Sequence, residues 1–331
     1  MTTLDIGCSR YDHVAGLFDG NIKIEGAEVR MHSADIPSDI FEKMIREDAY
    51  DAAELGLTYL LRLIDEGDDR FVALPVFLAR VFRHSAIYIN TEAGIARPED
   101  LAGKTVGEFG LYGHDGGVWP KGILSDEYGI SPDQCRWVIG ATDWYMPPFD
   151  FIAQPHPANV DVQPAPEGRT LSDMLESGEI QALMSARAPR CFVEGSPKVG
   201  RLFPDHEAVE RDYFKRTGIF PIMHTLVVRR ERLAADPNLA RAIFDAFAKA
   251  KEEALDRLRK GMVEMNFKTT LPWQTPLLAR DRALLGDDWW PFGMKANQAA
   301  LDTFCRYFHE QGLSRRRFAI DELFAADLLQ T

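Results

Sequence analysis

Two histidines interrupt runs that otherwise read as buried strand: His84 in Phe82-Arg83-His84-Ser85-Ala86-Ile87-Tyr88 and His224 in Pro221-Ile222-Met223-His224-Thr225. Imidazole titrates near neutrality, so it can give or take a proton inside a cleft. A histidine in such a run is either a core group bonded to backbone or a proton donor facing a cavity. With one on each of two extended runs, both become candidates for general acid–base work, and Ser85 and Thr225 beside them become candidates for substrate contact. Glu54, in Ala52-Ala53-Glu54-Leu55-Gly56, is a carboxylate on an apolar strand. It could position a phenolic hydroxyl, orient a histidine or pair with an arginine.

Arginines gather where strands should end or where the apolar pattern breaks: Arg10 in the first loop, Arg80 and Arg83 on the first extended run, Arg187 and Arg190 in Ser185-Ala186-Arg187-Ala188-Pro189-Arg190. A guanidinium matches a carboxylate as a two-pronged donor, so arginines converging on a cleft would suit a di-acid; the alternative for each is a surface ion pair. The string Gly110-Leu111-Tyr112-Gly113-His114-Asp115-Gly116-Gly117-Val118-Trp119 is a glycine-rich turn running into a helix. Backbone N–H groups at such a start attract anions, and His114 lies among them as a substrate-binding candidate. The string is neither a phosphate loop nor a dinucleotide fingerprint.

The elements that must position these residues alternate β and α. Strands are expected at residues 4–7, within 22–31, at 52–55, 105–108, 136–139 and 182–184. Helices are expected after Ser38 as N-cap, over residues 57–67, 119–128 and from 171. Residues 147–168, rich in proline, read as an irregular connection. Asp236-Pro237 reads as a helix start, followed by helical segments to the C-terminus. The extended runs 71–90 and 219–229 suggest a pair of crossovers, residues 80–90 passing from a first lobe to a second and 221–230 returning. The expected fold is therefore α/β and two-lobed, of the type II periplasmic-binding-protein kind, with a ligand cleft floored by the crossover strands. Its first lobe would be discontinuous, residues 1–84 and 225–331 with the C-terminal helices, and its second would be 85–224.

Bulk properties narrow the partners. The chain of 331 residues carries 38 Lys and Arg against 51 Asp and Glu, a net charge of −13. That balance argues against a nucleic-acid partner. The four cysteines are scattered, with no spacing for a disulfide scaffold or a structural zinc site. No stretch is long and apolar enough for a membrane span, and the N-terminal residues do not read as a secretory signal, so the expected location is cytoplasmic. A homo-oligomer is compatible with the sequence.

Four strings resemble the 4,5-dihydroxyphthalate decarboxylase family: Phe82-Arg83-His84-Ser85-Ala86-Ile87-Tyr88-Ile89-Asn90, Thr170-Leu171-Ser172-Asp173-Met174-Leu175, Ala186-Arg187-Ala188-Pro189 and Arg216-Thr217-Gly218-Ile219-Phe220-Pro221-Ile222-Met223-His224-Thr225. The resemblance spans residues 4–235 in order. It implies a type II periplasmic-binding-protein fold and non-oxidative loss of CO₂ from a small hydroxylated aromatic acid, 4,5-dihydroxyphthalate giving protocatechuate. Arg83, His84, Ser85, Arg187 and His224 carry over by motif match. On that reading His84 or His224 protonates the carboxyl-bearing ring carbon and arginines hold the carboxylate that stays. No cofactor is required, and no ligand motif supports a metal. The alternative on the same fold is a solute-binding protein that holds an aromatic or carboxylate ligand without chemistry.

Overall fold

The computed structural model describes residues 2–264 and 269–331. Its strands are β1 (Thr2–Gly7), β2 (Ala27–His32), β3 (Ala52–Gly56), β4 (Phe71–Arg80), β5 (Ile87–Asn90), β6 (Thr105–Phe109), β7 (Arg136–Gly140), β8 (Asp161–Pro164), β9 (Ala182–Met184), β10 (Val199–Arg201) and β11 (Ile222–Arg229). They form two sheets, ordered β2-β1-β3-β11-β4 and β10-β5-β9-β6-β7-β8. In the first sheet β1 runs parallel to β2 and β3, while β11 lies antiparallel between β3 and β4. In the second, β9, β6, β7 and β8 are parallel, β5 lies antiparallel beside β9, and β10 lies antiparallel to β5 at the edge. The result is the two-lobed α/β architecture, with the loops after β1, β3 and β6 meeting between the lobes, at the carboxyl ends where open parallel sheets bind ligands.

The chain leaves the first sheet at Arg80 and enters the second at Ile87, returning through the helix His206–Thr217 into β11. His84 is therefore not on a strand. It lies in a single 3-10 turn, His84–Ala86, because the polar Arg83-His84-Ser85 insert breaks the run between β4 and β5. His224 is on a strand, at an irregular point: the β11–β4 register shifts on both sides of it. Such bulges re-aim side chains and recur beside active sites.

Three local expectations are corrected. Ser38 does not cap its helix; Pro37 occupies the first turn of Pro37–Glu47 and Ile36 precedes it without a side-chain bond. The helix after Asp236-Pro237 starts at Leu239, because the Asp236 carboxylate accepts the Asn238 N–H and holds Pro237 in a turn. The irregular connection contains β8, a parallel edge strand whose short, largely exposed Asp-Val-Gln-Pro offers no apolar alternation and ends on the proline an edge can tolerate.

One apolar core runs through both lobes and includes Phe77, Ile87, Trp119, Ile222, Phe304 and Phe308. A second lies behind the first sheet, where Ile243 and Phe247 of helix Leu239–Val263 meet Leu4, Ile6 and Leu226. The C-terminal helix Gln298–Glu310 reaches from β11 of the first sheet across to the second lobe. It packs on the helix Asp115–Tyr128 that follows β6, with Trp119 against Phe304 and Tyr307.

Candidate active site

Every residue of β3 is buried, so Glu54 is carried into the interior by its strand and is fully enclosed. Three groups satisfy it. Tyr11 donates its hydroxyl to Oε1 at 2.5 Å, the Ser9 N–H donates to Oε2 at 2.8 Å, and His224 Nδ1 lies 2.6 Å from Oε1. Burial pushes the Glu54 carboxyl up, but the bond and charge of His224, with the Tyr11 and Ser9 bonds, outweigh it, and the group is held below the usual range. An ionised carboxylate only accepts, so Nδ1 of His224 carries the donating proton. Nε2 is left at the opposite edge of a ring that stands edge-on to Phe41 and whose side chain keeps 16 % of its exposure. The same carboxylate raises the Tyr11 hydroxyl far above the ordinary phenol value, burial contributing most.

Facing this dyad from the crossover is Arg83, 6 % exposed, whose Nε donates to Met223 Sδ at 3.3 Å. Its two terminal nitrogens make no hydrogen bond among the described residues, which leaves two donors for a ligand oxygen pair. Burial lowers the guanidinium to about 10, with Asp115 and Glu210 acting in the other sense, so it remains charged at neutral pH. His114 and Asp115 complete the cluster from the turn after β6. His114 is buried and held well below its normal value, first by burial and then by the charges of Arg83, Lys121, His224 and Arg62; it is a neutral imidazole. Its ring meets Phe109, which meets Trp144, over which Arg187 is stacked at 5.5 Å.

The glycines of this turn serve packing. The Gly113 N–H donates to the protein's own Glu108, and a Cβ on Gly117 would lie 1.6 Å from Glu108 Oε1. The anion expected at this turn is thus Glu108, itself paired with Lys121 at 2.6 Å. Two cavities flank the cluster. One, of about 450 Å³, is lined by Tyr11, His13, Phe82, Phe220 and Trp290; the other, of about 410 Å³, by Ile36, Phe109, Trp144 and Phe151. Both are in the size range of small-ligand pockets.

The remaining sequence candidates lie elsewhere. His84 is buried edge-on between Phe203 and Tyr213, both ring nitrogens lack a partner, and burial lowers it to about 4. It faces a different group of side chains from His224, so the two histidines do not share a site. Thr225 is fully buried with its hydroxyl bonded to Leu74 O at 2.7 Å. The Ser85 hydroxyl bonds Phe82 O and its N–H bonds Glu210, which fixes the crossover turn. Arg190 is exposed and paired with Asp173 and Glu194. Arg10 is exposed over Phe18, and Arg80 is buried on the carbonyls of Phe220 and Pro291. Sequence reasoning missed Tyr11 and Asp115 as site residues, although Asp115 stands in the glycine-rich string and Tyr11 follows Arg10 in the first loop. Among the described residues no group of His, Cys, Asp and Glu is arranged to hold a metal ion, and no helix is long and apolar enough to cross a membrane.

Fold and site together define a periplasmic-binding-protein-type chain with a hydrogen-bonded Glu54–His224 pair and a buried arginine between its lobes. Among solved structures, the periplasmic aliphatic sulphonate binding protein SsuA from Escherichia coli aligns with a TM-score of 0.56 at 13 % identity, over 98 % of this chain and 92 % of that one. The alkanesulfonate-binding protein SsuA from Xanthomonas axonopodis pv. citri, bound to MOPS, aligns with 0.54 at 11 % identity, over 98 % of each. These establish the fold alone. In sequence, a 4,5-dihydroxyphthalate decarboxylase of Comamonas testosteroni is 37 % identical over 325 residues, 97 % of this chain and 96 % of that protein. One of Pseudomonas putida is 35 % identical over 214 residues, 64 % and 81 % of the two chains. The chain belongs to the 4,5-dihydroxyphthalate decarboxylase family. No protein-family profile matches it.

Proposed function

We propose that the chain is a carboxy-lyase that removes CO₂ from a hydroxylated aromatic di-acid, with 4,5-dihydroxyphthalate as substrate and protocatechuate as product. The observation that carries this reading is the buried Tyr11–Glu54–His224 chain, which fixes Nδ1 as the inner donor and leaves Nε2 to work in the cleft. Names and coverage of the family relatives support the same chemistry.

One carboxylate of the substrate sits on the free nitrogens of Arg83 and stays bound. The other is para to a ring hydroxyl, whose oxygen feeds electron density to the carbon bearing it. Nε2–H of the His224 imidazolium gives its proton to that carbon. The bond from ring to carboxylate then breaks, its electron pair restores the aromatic ring, and CO₂ leaves. The di-anion plus one proton becomes a mono-anion plus CO₂, and His224 recovers its proton from solvent. Glu54 stabilises the imidazolium before transfer, and Tyr11 holds Glu54 in place. Apolar surroundings such as Phe41 and Met223 leave the departing carboxylate poorly solvated, which favours its loss.

Incubation with 4,5-dihydroxyphthalate, followed for CO₂ and protocatechuate, tests the reading. Stoichiometric release of both is expected. Binding of the di-acid with no CO₂ from any hydroxylated aromatic acid would make the protein a binder.

A further inference from the structure

The proposed decarboxylation leaves two buried groups of the site unused, His114 and Asp115, and the second is the ionisable one at neutral pH. Asp115 opens the helix Asp115–Tyr128 and is 1 % exposed. Its Oδ1 accepts the Thr58 N–H at 2.8 Å from the opposite lobe. Its Oδ2 is buried without any partner. That oxygen rests against the backbone of Gly56, where a Cβ would approach it to 2.1 Å, and Gly56 is the residue paired with His224 across β3 and β11.

The groups around Asp115 are mostly cationic or neutral. His224 comes from β11, Arg83 from the crossover, His114 from its own helix start, and Tyr59 and Arg62 from helix Leu57–Asp65. Glu54, on β3, is committed to His224 and Tyr11. With the cleft free of ligand, an ionised Asp115 is a counter-charge for Arg83, while Glu54 serves His224. A di-anion bound at Arg83 takes over that role and adds negative charge beside a carboxylate already stripped of water. The carboxylate relieves both by taking a proton, at the oxygen that has no other partner.

We infer that Asp115 is a proton reservoir of the site, a positioning carboxyl that becomes protonated when an aromatic di-anion seats on Arg83. The inference rests on the di-acid reading of the cleft. Burial raises this carboxyl to about 6 while His224, the Thr58 bond and Arg83 pull it down, so it stands where a nearby anion tips it within the neutral range. Binding and proton uptake are then linked, and the site accepts a di-anion without a net gain of negative charge as large as the ligand's.

The test uses phthalate, which has both carboxylates but no ring hydroxyl to drive decarboxylation, titrated calorimetrically into the whole protein in buffers of different ionisation enthalpy. The wild type should take up a substantial fraction of one proton per phthalate at pH 7. Its affinity should fall as pH rises above about 6, by up to about tenfold per unit. Asp115→Asn, which keeps the acceptor for Thr58, should bind phthalate with little uptake and a flat pH dependence. Binding by the wild type with no buffer dependence overturns the reservoir and leaves the di-acid site standing. Undiminished uptake in Asp115→Asn does the same, placing the proton on His224 or His114. Failure of phthalate to bind sinks the di-acid site itself. Infrared difference spectra of the wild type provide a second measurement that needs no variant: a new protonated-carboxyl C=O band on phthalate binding is expected, and its absence overturns the inference.

Discussion

His224 and His84 show how strongly surroundings divide one residue type into two roles. His224 has a carboxylate on one nitrogen and keeps part of its side chain exposed; His84 has aromatic rings and no partner at all. His224→Asn should lower kcat about 10²–10⁴-fold, the usual worth of positioned proton transfer, with phthalate affinity nearly unchanged. Comparable losses in kcat and in phthalate affinity would show that the residue only binds. For His84 the consequence is stability. Its folded value of about 4 lies below the unfolded value of about 6.5, so the unfolded chain binds more protons between those limits. Stability is therefore intact above that window and is lost as pH falls through it, by up to ~3 kcal/mol. His84→Leu should flatten this loss, read as urea midpoints between pH 7.5 and pH 4.5. Glu54 acts in the same direction, since its lowered value makes its contribution disappear on acidification.

The elements place those residues by close approach. Strand β3 brings Glu54 and Gly56 to one face, and the missing side chain at Gly56 admits Asp115. Gly56→Ala would drive a methyl into that carboxyl and should cost about 1–3 kcal/mol together with most of the turnover; urea midpoints and kcat report the two effects separately. The helix Asp115–Tyr128 is anchored by the Lys121–Glu108 pair, with exposures of 1 % and 0 %. Lys121→Met leaves Glu108 buried and uncompensated and should destabilise by about 3–5 kcal/mol. The double variant Lys121→Met with Glu108→Gln should recover much of that loss. No recovery would mean that packing, rather than charge, sets the effect.

At the scale of the whole molecule, the lobes are joined by much more than two crossovers. Arg62 of the first lobe donates to the carbonyls of Tyr112 and Ala153 in the second, at 2.8 Å each, and Thr58 Oγ1 donates to Gly113 O at 2.7 Å. The indole of Trp119 donates to Ile222 O at 2.8 Å, and Gln311 reaches Val118 O from beyond the C-terminal helix. A hinge held by such contacts has little freedom to open widely. The radius of gyration from small-angle scattering should stay the same on adding phthalate, and Arg62→Leu should expand the ligand-free protein. A large compaction of the wild type on binding would contradict this.

Much of this protein was legible along the chain. The β-α alternation, the strands β1, β3, β6, β7 and β9, and the helices over residues 37–47 and 57–65 follow from local apolar periodicity, which depends on neighbours in sequence. The fold class, and Glu54, Arg83 and His224 as unusual residues on apolar runs, were visible for the same reason: a polar group among buried ones breaks a pattern. What the chain could not announce is which such group faces the cleft. His84 and His224 interrupt their runs alike, yet a 3-10 turn sends one into an aromatic cluster and a bulge sends the other to Glu54. Thr225 and Arg190 carried the right chemistry and were consumed by Leu74, Asp173 and Glu194. Tyr11 and Asp115 gained theirs only when loops at the carboxyl ends of strands came together in the fold. Hydrogen bonds of 2.5–2.8 Å between residues 43 to 170 positions apart are set by tertiary packing, so the composition of the site was written in the sequence and its pairing was decided by the fold.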